Sequence, residues 1–483
     1  MIHYWKTLLS WIFVCQPSYA FPGVRHINQQ YFVPPTTRRY HSRSLMSHEK
    51  VILVIGACGM DRLLSVSHYP TPDAKVRTTV YHEVGGGNAA NTATAMARLS
   101  RAAIFRESFY RIQLCTKVGD DYVGRQIMAD LEAEGVDLSS PLFRVGIEGS
   151  TTAFTTIVVS EDEHTRTCIH TPGTCGELTL DELQQVDRDE LFQNVVLLHT
   201  DARHTDVALE LAREAQKRGI PVSLDVEKDR NSKALDALLD VASIVLTNAD
   251  QLEDYLTKLT REMEDSRERS PLMPTSVCHD DKIEEADAKL LAHLIRPSAF
   301  FTRWYNQIGK EIVITRGSQG SALIRCDSIQ IKEENKQIMP VNEVSVSVSV
   351  FDNGVMRASV KQVFSDVNDE KEDVLCTARY HLETAGILSN AEIVDTTGAG
   401  DAFFGAFLLA KLHSELKHKP RLALSFASWV AGRKLGGPGA RTAIPRAHEV
   451  DEELGEDIEQ MQRSLQLCVG GFRFDSRRTM NAP

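Results

Sequence analysis

The sequence lacks the cysteine patterns that mark zinc sites and disulfide frameworks. Its 483 residues contain nine cysteines, and no two of them form a C-x-x-C pair. This spacing excludes a zinc ribbon or a thioredoxin-like motif, and the cysteine density is too low for a small disulfide-stapled fold. The sequence also has no G-x-x-x-x-G-K-[ST] segment, so a phosphate site would have to be built differently from a P-loop.

Positive charge is also in short supply. Lys and Arg number 54 against 66 Asp and Glu, which gives a formal net charge of -12. This acidic balance argues against nucleic acid or an anionic membrane as the main partner, although it allows a local basic pocket for phosphate. Hydrophobic residues make up 42% and charged residues 25%, which is typical of a soluble globular protein.

Acidic residues are absent before Glu49. Residues 1–20 have a basic start at Lys6, a short apolar run over residues 8–15 and a small-residue ending at Ala20, which is the form of a signal peptide. Residues 21–49 carry arginine, serine and threonine, as a transit peptide does. The two segments together predict delivery to a plastid, with no membrane span in the mature form. The alternative is translation from Met46, which predicts a cytoplasmic protein.

The body of the chain alternates between apolar β-branched runs and helical stretches. Such alternation predicts an α/β fold with a mostly parallel central sheet flanked by helices. In sheets of this type ligands bind beyond the carboxyl ends of the strands. The expected strands cover residues 51–56, 195–199, 220–225, 242–247 and 311–315, and the expected helices cover residues 88–99 and 206–218.

Two charged or low-complexity stretches interrupt this alternation, at about residues 259–300 and 333–390. The second contains a Val/Ser alternation over residues 344–350, which fits either an edge strand with one apolar face or a low-complexity loop. We expect both stretches to be insertions, and the second to form a surface excursion off the sheet. Residues 451–483 are expected to form a C-terminal tail that starts as an acidic helix.

The strongest chemical signal is the segment D-T-T-G-A-G-D at residues 395–401, which continues into an apolar, helix-like stretch. The backbone N–H groups of Gly398, Ala399 and Gly400 would then lie at a helix N-terminus, where the dipole favours an anion. A carboxylate beside such a site can accept the proton of an attacking hydroxyl group. Asp401 is therefore the candidate catalytic base, although an isolated G-x-G-D turn is more often just a tight connection.

A second glycine-rich turn lies near the start of the body. Gly86 and Gly87 precede a helical stretch that contains Asn91, and Asp61 lies upstream. The Asn91 amide and the Asp61 carboxylate are suited to hydrogen-bond the hydroxyl groups of a small ligand. Each also has a simpler interpretation, since Asp61 could be a turn residue and Asn91 a helix cap.

These two motifs, in this order, resemble the two sequence patterns of the pfkB (ribokinase-like) carbohydrate kinase family. The resemblance extends over about residues 51–445. It implies one kinase domain over residues 50–450, with a ribokinase-like central sheet and a small β-sheet lid whose strands come from about residues 65–84 and 151–170. It also implies ATP-dependent phosphoryl transfer to a hydroxyl group of a sugar or sugar-like substrate, in a monomer or homodimer.

The resemblance implies a role for each matching residue. The base is Asp401, and Gly398, Ala399 and Gly400 complete the catalytic set. The acceptor-binding positions are Asp61, Gly86, Gly87 and Asn91, and the ATP-binding positions are Asn248, Thr315, Gly317, Gly320, Thr397 and Gly439.

Two cations are implied by the same resemblance. Mg²⁺ is expected near Asn248 and Gln251, although the family has a glutamate where this chain has Gln251. In some members a monovalent cation, K⁺, lies at the backbone positions that match Asp395 and Thr397, beside the loop that contains Gly439.

The acceptor is left open by these motifs. Asn88 replaces the lysine of ribokinases and resembles the Gly-Gly-Asn of ketohexokinases, and the segment from Arg166 resembles an uncharacterised plant branch of the family. Arg166 and His170 could face the substrate, with Arg166 on a phosphate group, or Arg166 could be an exposed charge on the lid. The alternatives to a sugar kinase are a nucleoside kinase and a non-catalytic pfkB-like scaffold protein of a plastid complex.

Overall fold

The protein is described here by a computed structural model. It describes residues 49–163, 165–226, 233–251, 276–279, 310–331, 343–350, 356–365, 372–385 and 393–469. The leader over residues 1–48, the end of the tail and most of the first insertion lie outside these ranges, so the targeting hypothesis stays a prediction. Among the described residues, every helix is too short or too polar to span a bilayer.

The strands and helices follow the alternation expected from the sequence. The strands are β1 Glu49–Ile55, β2 Gly59–Val66, β3 Val80–Gly86, β4 Phe109–Asp120, β5 Phe143–Glu148, β6 Phe154–Ser160, β7 Thr165–Thr171, β8 Val195–Thr200, β9 Val222–Val226, β10 Ile244–Asn248, β11 Ser276–His279, β12 Glu311–Thr315, β13 Ser321–Ile331, β14 Glu343–Val350, β15 Met356–Ser365 and β16 Glu372–Ala385. The helices are α1 Asn88–Leu99, α2 Tyr122–Glu134, α3 Leu180–Gln184, α4 Arg188–Leu191, α5 Thr205–Lys217, α6 Lys233–Val241, α7 Ala399–Leu412, α8 Pro420–Lys434, α9 Ala447–Leu454 and α10 Ile458–Val469, with short 3-10 helices at Ala103–Phe105, Gly317–Gln319 and Leu416–His418.

The central sheet has the strand order β11-β14-β15-β16-β13-β12-β10-β9-β8-β1-β4-β5. All neighbouring pairs from β12 to β5 in this order are parallel. The parallel part brings the carboxyl ends of β1, β8, β10 and β12 to one edge of the sheet. The α/β prediction is therefore confirmed, and ligand-binding residues are expected at that edge.

The predicted surface excursion over residues 333–390 is wrong for the described part of that segment. Strands β14, β15 and β16 form antiparallel pairs, and β16 pairs with β13, so this segment widens the central sheet. The Val/Ser alternation of β14 has the period of two that a strand requires. Strand pairing also satisfies backbone N–H and C=O groups that a loop would leave to water. The exact limits of the two insertions stay predictions.

A second, smaller sheet has the order β3-β2-β6-β7, and we call it the lid sheet. Strand β2 is antiparallel to β3 and parallel to β6, and β6 is antiparallel to β7. The lid strands were expected at about residues 65–84 and 151–170; the first pair instead begins at Gly59, directly after β1. Asp61 therefore lies on a lid strand and close to the carboxyl edge of the central sheet.

The core lies on both faces of the parallel part, as the alternation along β1 illustrates. Val51, Leu53 and Ile55 pack into one buried cluster with α5 and α6. Ile52 and Val54 pack into the other, with α1, α7 and α8. Because successive side chains of a strand point to opposite faces, a nearly continuous apolar run buries both faces of β1. Strand β1 is therefore buried on both faces of the sheet.

Candidate active site

Asp401 lies in the first turn of α7, at the carboxyl edge of the sheet. The residue before the helix is Gly398, whose φ of 74° is in the left-handed region. A Cβ at this position would also come within 2.5 Å of the Ala440 side chain, so only glycine fits. The first-turn N–H groups of a helix have no acceptor within the helix, and the dipole makes this end attractive to an anion. The Ala399 N–H donates only a long hydrogen bond, 3.3 Å, to the Thr396 carbonyl.

A hydrogen-bonded chain holds the Asp401 carboxylate, which is only 8% exposed. Asn91 Nδ2 donates to Asp401 Oδ2 at 2.8 Å, and Arg441 Nε donates to Asn91 Oδ1 at 2.8 Å. Arg441 Nη2 continues the chain to the Gly86 carbonyl oxygen at 2.8 Å. Both ends of the Asn91 amide are therefore used within the protein, and Asn91 orients Asp401 in this structure.

Asp61 is the second buried carboxylate of the site. A Cβ on Gly86 would lie 2.4 Å from the Asp61 Cγ atom, so the absence of a side chain at Gly86 leaves the space that this carboxylate occupies. Burial raises the pKa of Asp61 to about 6, with the neighbouring Asp395 adding to the rise, although the Arg441 and Arg166 guanidinium groups oppose it. Asp61 thus changes its charge state close to physiological pH.

A cavity of about 180 Å³ lies between the lid sheet and the carboxyl edge of the central sheet. Its lining includes Asp61 and Phe154 from the lid sheet and Arg203 from the turn after β8. His170 of β7 and Gly87 also line it, whereas Asn91, Gly86 and Asp401 do not. The chain of hydrogen bonds through Arg441 and Asn91 connects the wall that carries Asp61 to Asp401.

Asp201 is a site residue that the sequence analysis missed. It follows β8 and is 3% exposed. Its Oδ2 accepts hydrogen bonds from the Ala57 N–H at 2.9 Å and from the Ala89 N–H at 3.0 Å. One carboxylate therefore holds both the Ala89 N–H in the first turn of α1 and the Ala57 N–H in the loop after β1. Its position directly after a buried parallel strand was the signal that could have identified it.

A second cluster surrounds Asp395, on the loop that precedes α7. Asp395 Oδ1 accepts from the Thr397 N–H at 2.9 Å and from Thr397 Oγ1 at 2.7 Å, and Oδ2 accepts from the Gly439 N–H at 2.7 Å. Burial raises the pKa of Asp395, but these hydrogen bonds and the Lys434 charge outweigh it and hold the pKa below its usual value. The ionised carboxylate thus ties the loop before α7 to the loop that contains Gly439.

Lys434, the last residue of α8, is fully buried beneath the same two loops. Its Nζ atom donates to the Asp395 carbonyl at 2.8 Å and to the Gly437 carbonyl at 3.4 Å. Burial lowers the pKa of Lys434 to about 8, against the opposing influence of Asp395. The side chain therefore still carries its charge at neutral pH.

Arg166 of β7 connects the lid sheet to the loop before α7. Its Nη1 atom donates to Thr396 Oγ1 at 2.6 Å and to Thr397 Oγ1 at 3.1 Å, and lies 3.6 Å from Asp395 Oδ1. The side chain is 40% exposed. Arg166 is thus placed beside the N-terminus of α7.

The residues expected to bind ATP fall into two groups. Asn248 and Thr315 are paired neighbours at the carboxyl ends of β10 and β12, and Gly317 and Gly320 form the turn that follows β12. Thr397 and Gly439 belong to the Asp395 cluster instead. Asn248 Oδ1 accepts from the Gln251 N–H at 2.9 Å, which holds the Asn248 side chain in one orientation. Residues 227–232, 252–275 and 386–392 lie outside the described part.

Sequence reasoning singled out Asp401, Gly398, Asp61 and Asn91, and the structure brings these into one connected cluster. It gave Arg441 no catalytic role and did not consider Lys434 or Asp201. Arg441 and Asp201 act through contacts with residues far away in the chain: Arg441 and Asn91, for example, are 350 positions apart. The functional roles assigned to all of these residues stay predictions.

The chain is similar in sequence to known proteins. The family described as "pfkB family carbohydrate kinase" matches residues 49–273 and 377–447. A ribokinase of Arabidopsis thaliana is 22% identical over 414 residues, which span 85% of this chain and 83% of the plant protein. An ATP-dependent ribose-1-phosphate kinase of Halopiger xanaduensis is 27% identical over 205 residues, spanning 42% of this chain and 64%, less than two thirds, of that protein.

The fold is also found among solved structures. The structure of Arabidopsis thaliana ribokinase complexed with ribose and ATP superposes with a TM-score of 0.51 at 19% sequence identity, covering 87% of this chain and 99% of that one. At this level of identity the likeness establishes the fold: a mostly parallel central sheet flanked by helices, with a smaller sheet beside it.

Proposed function

Because this chain belongs to the pfkB family of carbohydrate kinases, we propose that it transfers the γ-phosphoryl group of ATP to a hydroxyl group of a sugar-like acceptor. The observation that supports this most is the placement of Asp401. Its carboxylate is buried in the first turn of α7 and is oriented by Asn91. A general base beside an anion-binding helix terminus is the arrangement that phosphoryl transfer requires.

The proposed reaction begins with the acceptor hydroxyl group, which gives its proton to the Asp401 carboxylate. The acceptor oxygen forms a bond to the γ-phosphorus as the bond from that phosphorus to the bridging oxygen of ADP breaks. The N–H groups of Gly398 and Gly400, at the positive end of α7, stabilise the negative charge on the transferred group. Asn91 and Arg441 keep the carboxylate in position throughout.

Magnesium is proposed as the companion of ATP. No group of three or more metal-ligating side chains is found among the described residues. Mg²⁺ binds mainly through substrate phosphates and water, with one or two protein oxygens. The Asn248 side chain, fixed by the Gln251 N–H, lies at the carboxyl edge where those phosphates would be. When bound, Mg²⁺ neutralises charge on the phosphate oxygens.

The cavity supports a sugar-sized acceptor. Its volume of about 180 Å³ is below the range of about 300–1,000 Å³ that encloses drug-sized ligands, which favours a monosaccharide or polyol over a nucleoside. Asp61 is placed to accept hydrogen bonds from hydroxyl groups once it is ionised. The acceptor must also reach Asp401, which does not line the cavity, and closure of the lid sheet is proposed to bring the two together.

Formation of ADP by the purified protein tests the proposal. The protein is incubated with MgATP and a panel of pentoses, ketohexoses, polyols and nucleosides, and ADP is measured with and without each acceptor. The result expected is acceptor-dependent ADP formation with at least one sugar or polyol. Turnover confined to nucleosides would favour the nucleoside kinase alternative, and no turnover with any acceptor would favour a non-catalytic scaffold.

We also propose, on composition alone, that residues 1–49 direct the protein to a plastid. The absence of acidic residues before Glu49 is the supporting observation. Expression of residues 1–49 fused to a fluorescent protein in cells with plastids would show plastid fluorescence if the proposal holds. Cytoplasmic fluorescence would favour a start at Met46.

A further inference from the structure

The ammonium group of Lys434 lies where two loops of the site meet. One loop leads from Ile393 to Gly398 and supplies the Asp395 carbonyl, and the other follows α8 and supplies the Gly437 carbonyl. Lys434 Nζ donates hydrogen bonds to both oxygens and has no exposed surface. A buried ammonium group needs hydrogen-bond acceptors such as these two carbonyls, because an unpaired ammonium would carry a large desolvation cost.

Carbonyl oxygens converging on one point are also what a bound monovalent cation requires. The Asp395 backbone is one of the positions where the family resemblance allows K⁺. In this chain the Asp395 carbonyl already accepts a hydrogen bond from an ammonium group that the protein itself supplies. A lysine ammonium is a compact point charge with three donors, so it can match both the charge and the oxygen contacts of such an ion. A K⁺ ion bound to the same oxygen would lie against this ammonium and be repelled by it.

We propose that the Lys434 ammonium replaces a monovalent cation at this position, so that the enzyme needs no potassium. The charged groups around it are the Asp395 and Asp401 carboxylates, which attract it, and the Arg166 guanidinium, which repels it. By joining the two loops, Lys434 supports the Asp395 contacts to Thr397 and Gly439. It is a positioning residue, since it acts on the anion-binding end of α7 through the loop before it. The inference rests on the proposed kinase function.

The test compares the unmodified protein with the Lys434→Ala variant in potassium, sodium and choline chlorides at equal ionic strength, and with methylammonium added. Rate of ADP formation and melting temperature are both measured. For the unmodified protein we expect the same rate and the same melting temperature in potassium and choline. For Lys434→Ala in choline we expect a rate lower by about tenfold or more, because a buried charge-assisted contact is lost. Potassium or methylammonium should restore part of the rate and raise the melting temperature of this variant only.

Lys310→Ala is the matched control. Lys310 is also a buried lysine, and its Nζ atom donates to the Leu239 and Asp240 carbonyls, both at 2.9 Å. It lies directly before β12, at the opposite edge of the sheet from the site. Its removal should lower the melting temperature without creating a response to potassium.

Three results would overturn the inference: activation or stabilisation of the unmodified protein by potassium over choline, an undiminished rate of Lys434→Ala in choline, or a loss in that variant that no cation restores. If Lys434→Ala does not fold, the ion dependence of the unmodified protein decides. If the unmodified protein shows no kinase activity at all, the proposed function fails, and the melting temperatures still decide whether Lys434 occupies a cation site.

Discussion

Asp61 is the residue whose ionisation should control acceptor binding. Its pKa of about 6 means that lowering the pH converts the carboxylate into a carboxylic acid, which accepts hydrogen bonds from hydroxyl groups less well. We expect the KM for the acceptor to rise by up to about tenfold between about pH 7 and about pH 5. Steady-state kinetics over this range measure it, and an acceptor KM that does not depend on pH would contradict the role of Asp61. In Asp61→Asn the KM should be high and independent of pH.

The stability of the protein should respond to Asp61 in the opposite direction. The native state holds this proton more tightly than the unfolded chain, whose carboxyl has the ordinary pKa of 3.8. The contribution of Asp61 to stability is therefore complete below pH 3.8 and is lost as the pH rises through about 6. The pH dependence of the acceptor KM and the pH dependence of stability therefore separate a functional from a purely structural role for this carboxylate.

At the scale of single residues, the sequence identified the groups that carry chemistry better than the groups that hold them. Asp401 and Gly398 belong to a motif that is local in the chain, and Asp61 lies on the segment upstream of the second glycine-rich turn. Arg441 and Lys434 could not be assigned in this way, because a lone arginine or lysine on a C-terminal segment is most often solvated. Their burial depends on tertiary contacts to the turns before α1 and α7.

The packing of α1 against α7 sets the distance between Asn91 and Asp401. A Cβ on Gly405 would lie 2.8 Å from the Ala95 Cβ and 3.0 Å from the Thr92 carbonyl oxygen. Small residues on both helices therefore allow the close approach that places Asn91 within hydrogen-bonding distance of Asp401. The helix limits of α1 were predicted from the sequence, but this contact was not, because helix periodicity does not reveal which helix is the partner.

Replacing Gly405 with valine should move these two helices apart. We expect a loss of about 1–3 kcal/mol in the free energy of unfolding, which is typical of overpacking, together with a lower kcat because Asn91 moves away from Asp401. Urea denaturation and steady-state kinetics measure the two effects. Ala95→Gly alone serves as the control. A Cβ introduced by Gly405→Ala would clash with the Ala95 Cβ. Combining Gly405→Ala with Ala95→Gly should therefore relieve part of this clash. Normal kcat in Gly405→Val would show that the spacing of α1 and α7 does not control the base.

The lid sheet is connected to the loop before α7 by the Arg166 side chain, so loss of this side chain should affect acceptor binding. Arg166→Met removes the hydrogen bonds from β7 to Thr396 and Thr397. We expect the acceptor KM to rise by about fivefold, a modest effect because the guanidinium group is 40% exposed. Arg125→Met is the control, since Arg125 is an exposed residue of α2 that pairs with Asp120 at the end of β4. Equal kinetics for the two variants would remove Arg166 from the account of lid closure.

At the scale of the whole molecule, the parallel part of the sheet was predictable and its extension was not. Runs such as residues 51–55 are apolar throughout, as strands buried on both faces must be. The pairing of β13 with β16 joins a strand before the second expected insertion to a strand inside it. Nothing local specifies such a pairing, so the Val/Ser alternation of β14 was compatible with both a strand and a loop.

Transfer of radiolabel from [γ-³²P]ATP to an acceptor, with the unmodified protein and Asp401→Asn side by side, tests the central claim most directly. The account predicts labelled acceptor with the unmodified protein and a rate lower by about 10²–10⁴-fold in the variant. ATP affinity and melting temperature should be nearly unchanged, because asparagine keeps the size of the side chain. Near-normal transfer by Asp401→Asn would contradict the assignment of Asp401 as the base.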